Sequence, residues 1–412
     1  MSGIETIVTY TLLFVALYFE IFLLVSFLEK RTGRQVIRPK TQDAWLPSTC
    51  IVVPCFNEEA SIGSTLSSLL ALRYPADKLE VIVIDDGSSD KTLAIARTFE
   101  TSPQVRVRVF TKENGGKHTA MNLALANTEA ELIGCLDADS IVEADALTRI
   151  AQVFADKKVA AVTPGLHVWN PRTFLQHIQN VEYRLAVFNR FVFATLGALY
   201  ITPGPFSIFR TSVIRELGGW RHGHSTEDLE MALRLQAAGH LIGNAPGAAV
   251  YTLTPEGLVG LFRQRIRWTY GFLRNAADYR HMLMSRSHGN LGLITLPAAL
   301  ISIVTALYFF MRIVWETVSS ALETYARVQL TGAFPHPSFE LFYVNTSAMW
   351  LLVVIATGIV FALICAGSRI GTGRHLPPAA TPLFLFLYGF IAPVWLGIAV
   401  VRAMFKMGVN WR

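Results

Sequence analysis

Four long apolar stretches constrain this chain more than any other feature. Ile7 to Leu28, Leu291 to Val314, Leu341 to Ala366 and Pro382 to Val401 are each long enough to cross a bilayer as a helix, the first interrupted by Glu20. They account for a composition that is 52% hydrophobic and only 16% charged over 412 residues, a balance uncommon in soluble proteins. A secretory leader would carry a basic segment ahead of its apolar run and a small-residue cleavage site behind it. The first stretch has neither, so four transmembrane helices are expected.

Basic residues set the orientation. Lys30, Arg31, Arg34, Arg38 and Lys40 follow the first stretch, and such clusters stay on the cytoplasmic side. The region Thr41 to Asn290 is then expected in the cytoplasm of a multi-pass protein of the cell membrane. Arg369 and Arg374 agree with this arrangement, and Glu316, Glu323 and Glu340 fall outside. The tail does not agree. Four spans put Arg402, Lys406 and Arg412 outside, so either one apolar segment is re-entrant or the charge rule is broken here. The formal net charge of +6 sits largely beside the spans, where it suits anionic headgroups, and nothing in the sequence reads as a nucleic-acid motif. Cys50, Cys55, Cys135 and Cys365 have neither zinc-ligand spacing nor a paired redox motif; they are expected to be reduced packing residues.

Between the first and second spans the pattern is βαβ. Thr49 to Val53 is a β-branched run ending in Pro-Cys-Phe-Asn-Glu-Glu, Ala60 to Leu72 has a helical period, and Val81 to Ile84 is a second strand. It runs into Asp85-Asp86-Gly87-Ser88-Ser89-Asp90, where glycine permits a tight turn and Asp90 can cap a helix near Lys91. Val105 to Phe110 alternates with Arg106 and Arg108, as a strand near a sheet edge does. Glu113-Asn114-Gly115-Gly116-Lys117 then opens the helix Thr119 to Ala126; glycines at a helix start suit a phosphate, and Asn-Gly-Gly is also an ordinary loop. Leu132 to Leu136 is a buried strand with Asp137 and Asp139 at its C-terminal end, the edge at which open α/β sheets bind ligands. Two carboxylates one residue apart can hold a hard divalent cation that takes its remaining oxygens from water and a substrate phosphate; alone they could equally be a turn.

Val159 to Thr163 reads as another strand, and Phe174 to Leu196 as a helix packed beside the sheet or lying at the membrane interface. Thr226 can cap a helix from Leu229 to Ala238, which places Asp228 at a helix N-terminus, favourable for an ionised carboxylate; that suits a general base and equally a plain helix start. Leu258, Leu261, Phe262, Ile266 and Tyr270 recur at helical spacing among Arg263, Arg265, Arg267 and Arg274, a basic amphipathic helix from which Gln264, Arg267 and Trp268 project together.

Asp85-Asp86-Gly87-Ser88, Asp137-Ala138-Asp139, Thr226-Glu227-Asp228 and Gln264-Arg265-Ile266-Arg267-Trp268, in this order and between membrane spans, resemble the membrane-embedded processive family 2 glycosyltransferases. These include the cellulose, hyaluronan and poly-N-acetylglucosamine synthases. The resemblance covers Ser48 to Asn275. It implies an α/β GT-A-like domain, a mostly parallel sheet with helices on both faces, joined to transmembrane α-helices, and an inverting transfer from a UDP-sugar with Mg²⁺ or Mn²⁺. By that resemblance Asp86 contacts uracil, Pro54, Phe56 and Glu58 line the nucleotide site, and Lys117 lies near uracil or phosphate. Asp139 is the metal ligand, with Asp137 beside it nearer the ribose or donor sugar. Asp228, next to Glu227, deprotonates the acceptor hydroxyl, while Gln264, Arg267 and Trp268 line the acceptor and diphosphate side.

The chain is shorter than cellulose synthases and nearest in layout to the poly-N-acetylglucosamine members, although Trp268-Thr269-Tyr270-Gly271 departs from their Trp-Ala-Gln-Gly. The expected division is a span over 1–29, a basic linker over 30–47, a GT-A-like domain over 48–254, interfacial helices over 255–289 and a membrane region over 290–412. The expected activity is extension of a β-linked polysaccharide from UDP-N-acetylglucosamine, with its translocation; glycosylation of a lipid, as ceramide glucosyltransferases perform, is the alternative, and a non-catalytic transporter a remoter one. The expected partners are a UDP-sugar, a polysaccharide or lipid-linked acceptor, membrane lipids and a small accessory membrane subunit, with no nucleic acid.

Overall fold

The computed structural model of the protein describes residues 3–32, 46–334 and 348–408. Helix α1 (Gly3–Thr32) leads to strand β1 (Thr49–Cys55), in which Cys50, Ile51, Val52 and Val53 are all fully buried. Successive side chains of a strand point to opposite faces, so β1 must be covered on both, as a central parallel strand is. There follow α2 (Ile62–Leu70), β2 (Leu79–Asp85), α3 (Thr92–Thr98), β3 (Arg106–Thr111), α4 (Lys117–Ala126), β4 (Leu132–Cys135), β5 (Ser140–Val142), α5 (Ala146–Val153) and β6 (Val159–Val168). Next are α6 (Phe174–Thr195), β7 (Ile208–Arg210), α7 (Thr211–Glu216), α8 (Glu227–Ala237), β8 (Leu241–Thr252) and α9 (Leu258–Asp278), and then α10 (Leu296–Thr331), α11 (Ala348–Thr372) and α12 (Thr381–Met404).

The eight strands form one sheet in the order β3-β2-β1-β4-β7-β6-β8-β5. β3, β2, β1 and β4 are parallel, β7 runs antiparallel to β4 and β6, β8 is parallel to β6, and β5 is antiparallel to β8. The chain moves outward from β1 through β2 to β3 and returns to β4 on the other side of β1. The crevice beyond the C-terminal ends of β1 and β4 is therefore the switch point at which open α/β sheets take ligands. β3 lies at the sheet edge, as its alternating arginines imply, and Arg108 turns back to Glu80 at 3.0 Å.

Strand β8 is absent from the sequence reading because Gly243, Asn244, Pro246 and Gly247 read as loop. Its pairing with β6 supplies what its propensity lacks. A register shift opposite Pro164 and Gly165 absorbs the Pro246-Gly247 turn, and a Cβ at Gly165 would collide with the Pro246 carbonyl. Thr226 also departs from its expected role: its hydroxyl donates to the Gly223 carbonyl at 2.8 Å and makes no cap to α8.

One face of the sheet packs on α2 and α5, the other on α4, α6, α7 and α8. Helix α6 lies between the sheet and the long apolar helices, so that Phe188 and Val192 share a core with Leu23 and Phe27 of α1 and Leu363 of α11. Helix α11 comes so near because Gly367 and Gly371 face α6; a Cβ at Gly367 would collide with the Arg184 carbonyl. The long apolar helices are thus bonded to the sheet by shared core rather than by a tether.

Four helical segments, Gly3–Glu29, Leu291–Thr331, Ala348–Thr372 and Thr381–Met404, are long and apolar enough to cross a membrane. The second outruns its expected end at Val314. Its apolarity fades there, but no helix breaker occurs before Gly332, which closes α10 in the left-handed conformation at φ 66°. Its 36 residues rise roughly 54 Å at 1.5 Å each, more than a bilayer requires. Midway along α10, Arg312 donates to Thr9, in the N-terminal part of α1, at 2.7 Å and to Glu316 at 2.8 Å. Arg34, Arg38, Lys40, Glu340 and Arg412, used above to orient the chain, lie outside the described residues, as does the expected start of the third span at Leu341. The four cysteines are free thiols, three of them buried.

Candidate active site

The loops that leave β1 and β2 hold each other. Asn57, in the left-handed region at φ 55°, donates its backbone N–H to the Ser88 hydroxyl at 2.9 Å and accepts from the Ser89 N–H at 2.8 Å. The Glu58 N–H donates to the Thr92 hydroxyl at 2.7 Å, and the Glu58 carboxylate accepts from Ser61 at 3.0 Å. Pro54, within β1, and Phe56 and Glu58, in the loop after it, therefore lie at the C-terminal end of that strand.

Asp86 is buried and held from three sides. Its carboxylate accepts the backbone N–H groups of Gly115 at 3.1 Å and Gly116 at 2.8 Å, and pairs with Lys112 at 2.5 Å. A carboxylate removed from water needs such donors, and this answers the expectation that the glycine pair cradles phosphate: its amides serve Asp86 instead. Gly116 adopts φ 86° and Gly87 φ 83°, conformations that glycine supplies without strain. Lys112 has no motif around it and is missing from the sequence reading.

Lys117, at the first turn of α4, pairs with Asp137 and lies 3.6 Å from Glu227. Burial works against its charge, but Asp137 and Glu227 outweigh it and hold the ammonium well above its ordinary range. A Cβ at Gly204 would collide with the Lys117 ammonium, so the turn after α6 must be bare to admit that pair. Asp139 is the carboxylate left over. Its carboxylate accepts a hydrogen bond from the Ser140 hydroxyl at 3.1 Å, and burial, followed by the Asp137 charge and then Glu58, pushes its pKa to about 7. Among the described residues no three His, Cys, Asp or Glu side chains cluster as a complete metal cage. An acid carrying excess negative charge, with no cage, fits a hard cation that keeps waters and takes substrate phosphate oxygens. Asp139 would hold it, and Asp137, engaged by Lys117, would stand behind.

On the opposite wall, Asp228 occupies the first turn of α8 and accepts the Leu229 N–H at 2.9 Å. Burial, then the Glu227 charge, pushes its pKa up to about 6, with Lys117 and Arg267 opposing. Arg267 reaches over from α9 and donates to the Ser225 carbonyl at 3.0 Å. Helix α9 sits hard against this loop. Asn275 donates to Gly223, Thr226 and Gly271 at 2.9–3.0 Å, and a Cβ at Gly271 would collide with the Thr226 hydroxyl. Gln264 and Trp268 lie on the neighbouring part of α9, both against Arg265. The structure thus gathers Asp139, Asp137, Lys117, Glu227, Asp228 and Arg267 into one crevice. The sequence reading places Arg265 only on the basic face of α9 and gives no role to Glu182 or Asn275, because the partners that engage them are remote in the chain.

Comparison with known proteins follows this geometry. A family model described as Glycosyltransferase like family 2 matches residues 47–271. The poly-beta-1,6-N-acetyl-D-glucosamine synthase of Staphylococcus aureus (strain COL) is 35% identical over 228 residues, 55% of each chain. That of Staphylococcus epidermidis is 30% identical over 268 residues, 63% of this chain and 64% of the relative. The chain spans little more than half the length of the first of these relatives in the match. Among solved structures, the mannosyltransferase PcManGT from Pyrobaculum calidifontis, in complex with GDP-Man and Mn²⁺, superposes with a TM-score of 0.60 at 20% identity, covering 96% of this chain and 99% of that one. That likeness is one of fold: a GT-A-like sheet joined to helices.

Proposed function

The chain belongs to the family 2 glycosyltransferases, and from that premise we propose that it is an inverting membrane synthase using a UDP-sugar, UDP-N-acetylglucosamine first among them, to extend a β-linked polysaccharide that it also translocates. The observation that carries this reading is the position of Asp228, which faces Lys117 and Arg267 across the same crevice that holds Asp137 and Asp139. The likeness to two poly-N-acetylglucosamine synthases supports the choice of sugar and polymer.

In this reading Asp86, Pro54, Phe56 and Glu58 receive the nucleoside, and Lys117 with Asp137 orients the donor sugar. Asp139, backed by Asp137, would hold Mg²⁺ or Mn²⁺, which supplies neutralisation of the diphosphate charge. Asp228 takes the proton from the acceptor hydroxyl as that oxygen attacks the anomeric carbon from the face opposite the diphosphate. A single displacement inverts that centre and needs no protein nucleophile. A carboxylate whose pKa lies near 6 is poised for this, being ionised at neutral pH yet more basic than an exposed aspartate. Arg267, close to Asp228, adds positive charge where the departing diphosphate becomes more negative. Gln264 and Trp268 present a polar group and an aromatic face to the acceptor sugar.

The same reading keeps the division into a span, basic linker, catalytic domain, interfacial helix and membrane region, with the catalytic domain in the cytoplasm and a small membrane subunit as a further partner. An engineered cysteine in an exposed loop of the catalytic domain, on a Cys-free background, should resist an impermeant thiol reagent in intact cells; ready labelling reverses the topology. The activity is tested by giving the purified protein in lipid a panel of UDP-sugars with Mg²⁺ or Mn²⁺. Release of UDP with long product from one sugar is expected. A single added sugar on a lipid would instead mark a non-processive lipid glycosyltransferase, and no release from any sugar would overturn the reading.

A further inference from the structure

One charge on helix α9 is used neither by the expected site nor by the chemistry above. Arg265 is 4% exposed, and its Nη2 donates to Glu182 Oε2 of α6 at 2.6 Å. Its Nη1 donates to Gln264 Oε1 at 2.9 Å, and its guanidinium carbon sits 4.3 Å from the centroid of the Trp268 ring. Among the described residues its Nε has no hydrogen-bond partner. Tyr388 of α12 interacts with both Glu182 and Arg265, and Tyr183 interacts with both Arg265 and Asp139.

A buried ion pair of this kind is not an economical way to stabilise a fold, because the desolvation cost of the two charges offsets much of their attraction. What it holds is more informative. Arg265 touches two of the three α9 residues assigned to the acceptor side. An arginine has no acceptor atom, so the bond to Gln264 can only engage the amide oxygen, and it leaves the amide NH₂ as the group free to meet a ligand. A guanidinium stacked on an indole covers one ring face. Trp268 is still 37% exposed, so the open face is the one remaining for a sugar.

We propose that Arg265, clamped by Glu182, is a positioning residue that fixes which face of Trp268 and which group of Gln264 meet the acceptor sugar, and that Tyr388 ties this setting to the membrane helix α12. The proposal rests on the reading of the chain as a glycosyltransferase whose acceptor lies along α9. Helix α12 meets α9 again where Phe262 packs edge-on against Trp395 at 5.6 Å, and Tyr388 packs on Trp395 at 5.4 Å. A shift of α12 would therefore reach the acceptor side through side chains in contact.

The test uses the full chain in lipid, the UDP-sugar that the parent turns over, and a short β-linked oligosaccharide of the same sugar as acceptor. Arg265→Gln removes the charge and the stacked plane together; Arg265→Lys keeps the charge for Glu182 without the plane; Tyr388→Phe removes one hydroxyl and leaves the ring. For Arg265→Gln, acceptor KM should rise about 5- to 30-fold, the loss expected for a desolvated cation–π contact with its ion pair. Donor KM and acceptor-independent UDP release should stay within about twofold of the parent, since Arg265 touches no residue of the donor side. Arg265→Lys should recover less than half of the logarithmic loss, because a lysine cannot stack or fork, and Tyr388→Phe should raise acceptor KM about twofold to fivefold. Equal deterioration of donor and acceptor parameters, or full rescue by lysine, would show a merely structural charge and overturn the proposal. If Arg265→Gln cannot be purified folded, the lysine and Tyr388→Phe variants decide by the same split. A parent that releases no UDP from any sugar defeats the glycosyltransferase reading itself; an active parent whose variants keep its acceptor KM defeats this inference alone.

Discussion

On the side of the crevice that we propose takes the donor, loops leaving parallel strands hold carboxylates with their own backbone amides and lysines: Gly115, Gly116 and Lys112 on Asp86, and Lys117 on Asp137. On the acceptor side a single helix, α9, is held by residues far away in the chain, through Asn275 and Arg267 to the loop 223–226 and through Arg265 to Glu182. The donor side is a sheet-edge device that any open α/β fold can build from short segments. The acceptor side exists only once the sheet, α6 and α12 have come together. The two sides should then fail differently: a donor-side change should weaken nucleotide binding, and an acceptor-side change should leave it intact.

The largest effect should come from Asp139→Asn. An amide is a poorer ligand for a hard cation, so divalent-dependent UDP binding should be lost, and transfer should fall by at least about a hundredfold, the scale of losing one group that offsets transition-state charge. Calorimetric UDP titration with and without Mn²⁺ checks it; an undiminished metal dependence would remove Asp139 from the donor side. Next is the acid limb of the rate. Burial and Glu227 raise the Asp228 pKa to about 6, and the base must be ionised to accept a proton. Transfer should be full above that pH and fall towards about tenfold per unit below it, and Asp228→Glu should move the limb. A flat profile between pH 5 and 7 would contradict the assignment.

Gly271→Ala strikes the acceptor side through packing. The new methyl meets the Thr226 hydroxyl, and overpacking of this kind costs about 1–3 kcal/mol. The melting temperature should drop and transfer should weaken more than UDP binding does; an unchanged protein would mean that the loop yields freely. Lys112→Gln should give the smallest effect. The pair with Asp86 is partly exposed, the lysine side chain at 22%, and pairs of that kind contribute up to about 1 kcal/mol. UDP affinity should decline by less than about fivefold with the transfer rate at saturation unchanged, and a change in that rate would blur the division between the two sides.

The same division explains what could be read from the sequence. Asp86, Asp137 and Asp139 are legible because each closes an apolar run of a parallel strand, so strand, turn and acid are neighbours in the chain. The four apolar helices are legible from composition alone, although the end of α10 is not, since helix continues past Val314 until Gly332 stops it. Strand β8 was hidden by its own glycines and proline, whose cost is met by pairing with β6. Arg265 was visible only as one of several arginines on a basic face, yet it is buried while Arg263 lies exposed. Helical period gives the face of a residue; which neighbour meets that face is decided by Glu182, 83 positions away. At the glycine pair the sequence left phosphate and an ordinary loop open, and it is an acid of the same protein, Asp86, that takes the amides.

The most direct test of the account is the Asp228→Asn variant, assayed on one purified preparation for both UDP-sugar affinity and polymer synthesis. Asn can occupy the first turn of a helix at a cost of less than about 1 kcal/mol, so the fold should persist, and the donor side does not include this residue. The account predicts donor affinity near that of the parent with synthesis reduced by about 10²- to 10⁴-fold, the usual worth of a general base. Polymer made at near the parent rate, with donor bound normally, would contradict it and leave Asp228 as no more than the start of a helix.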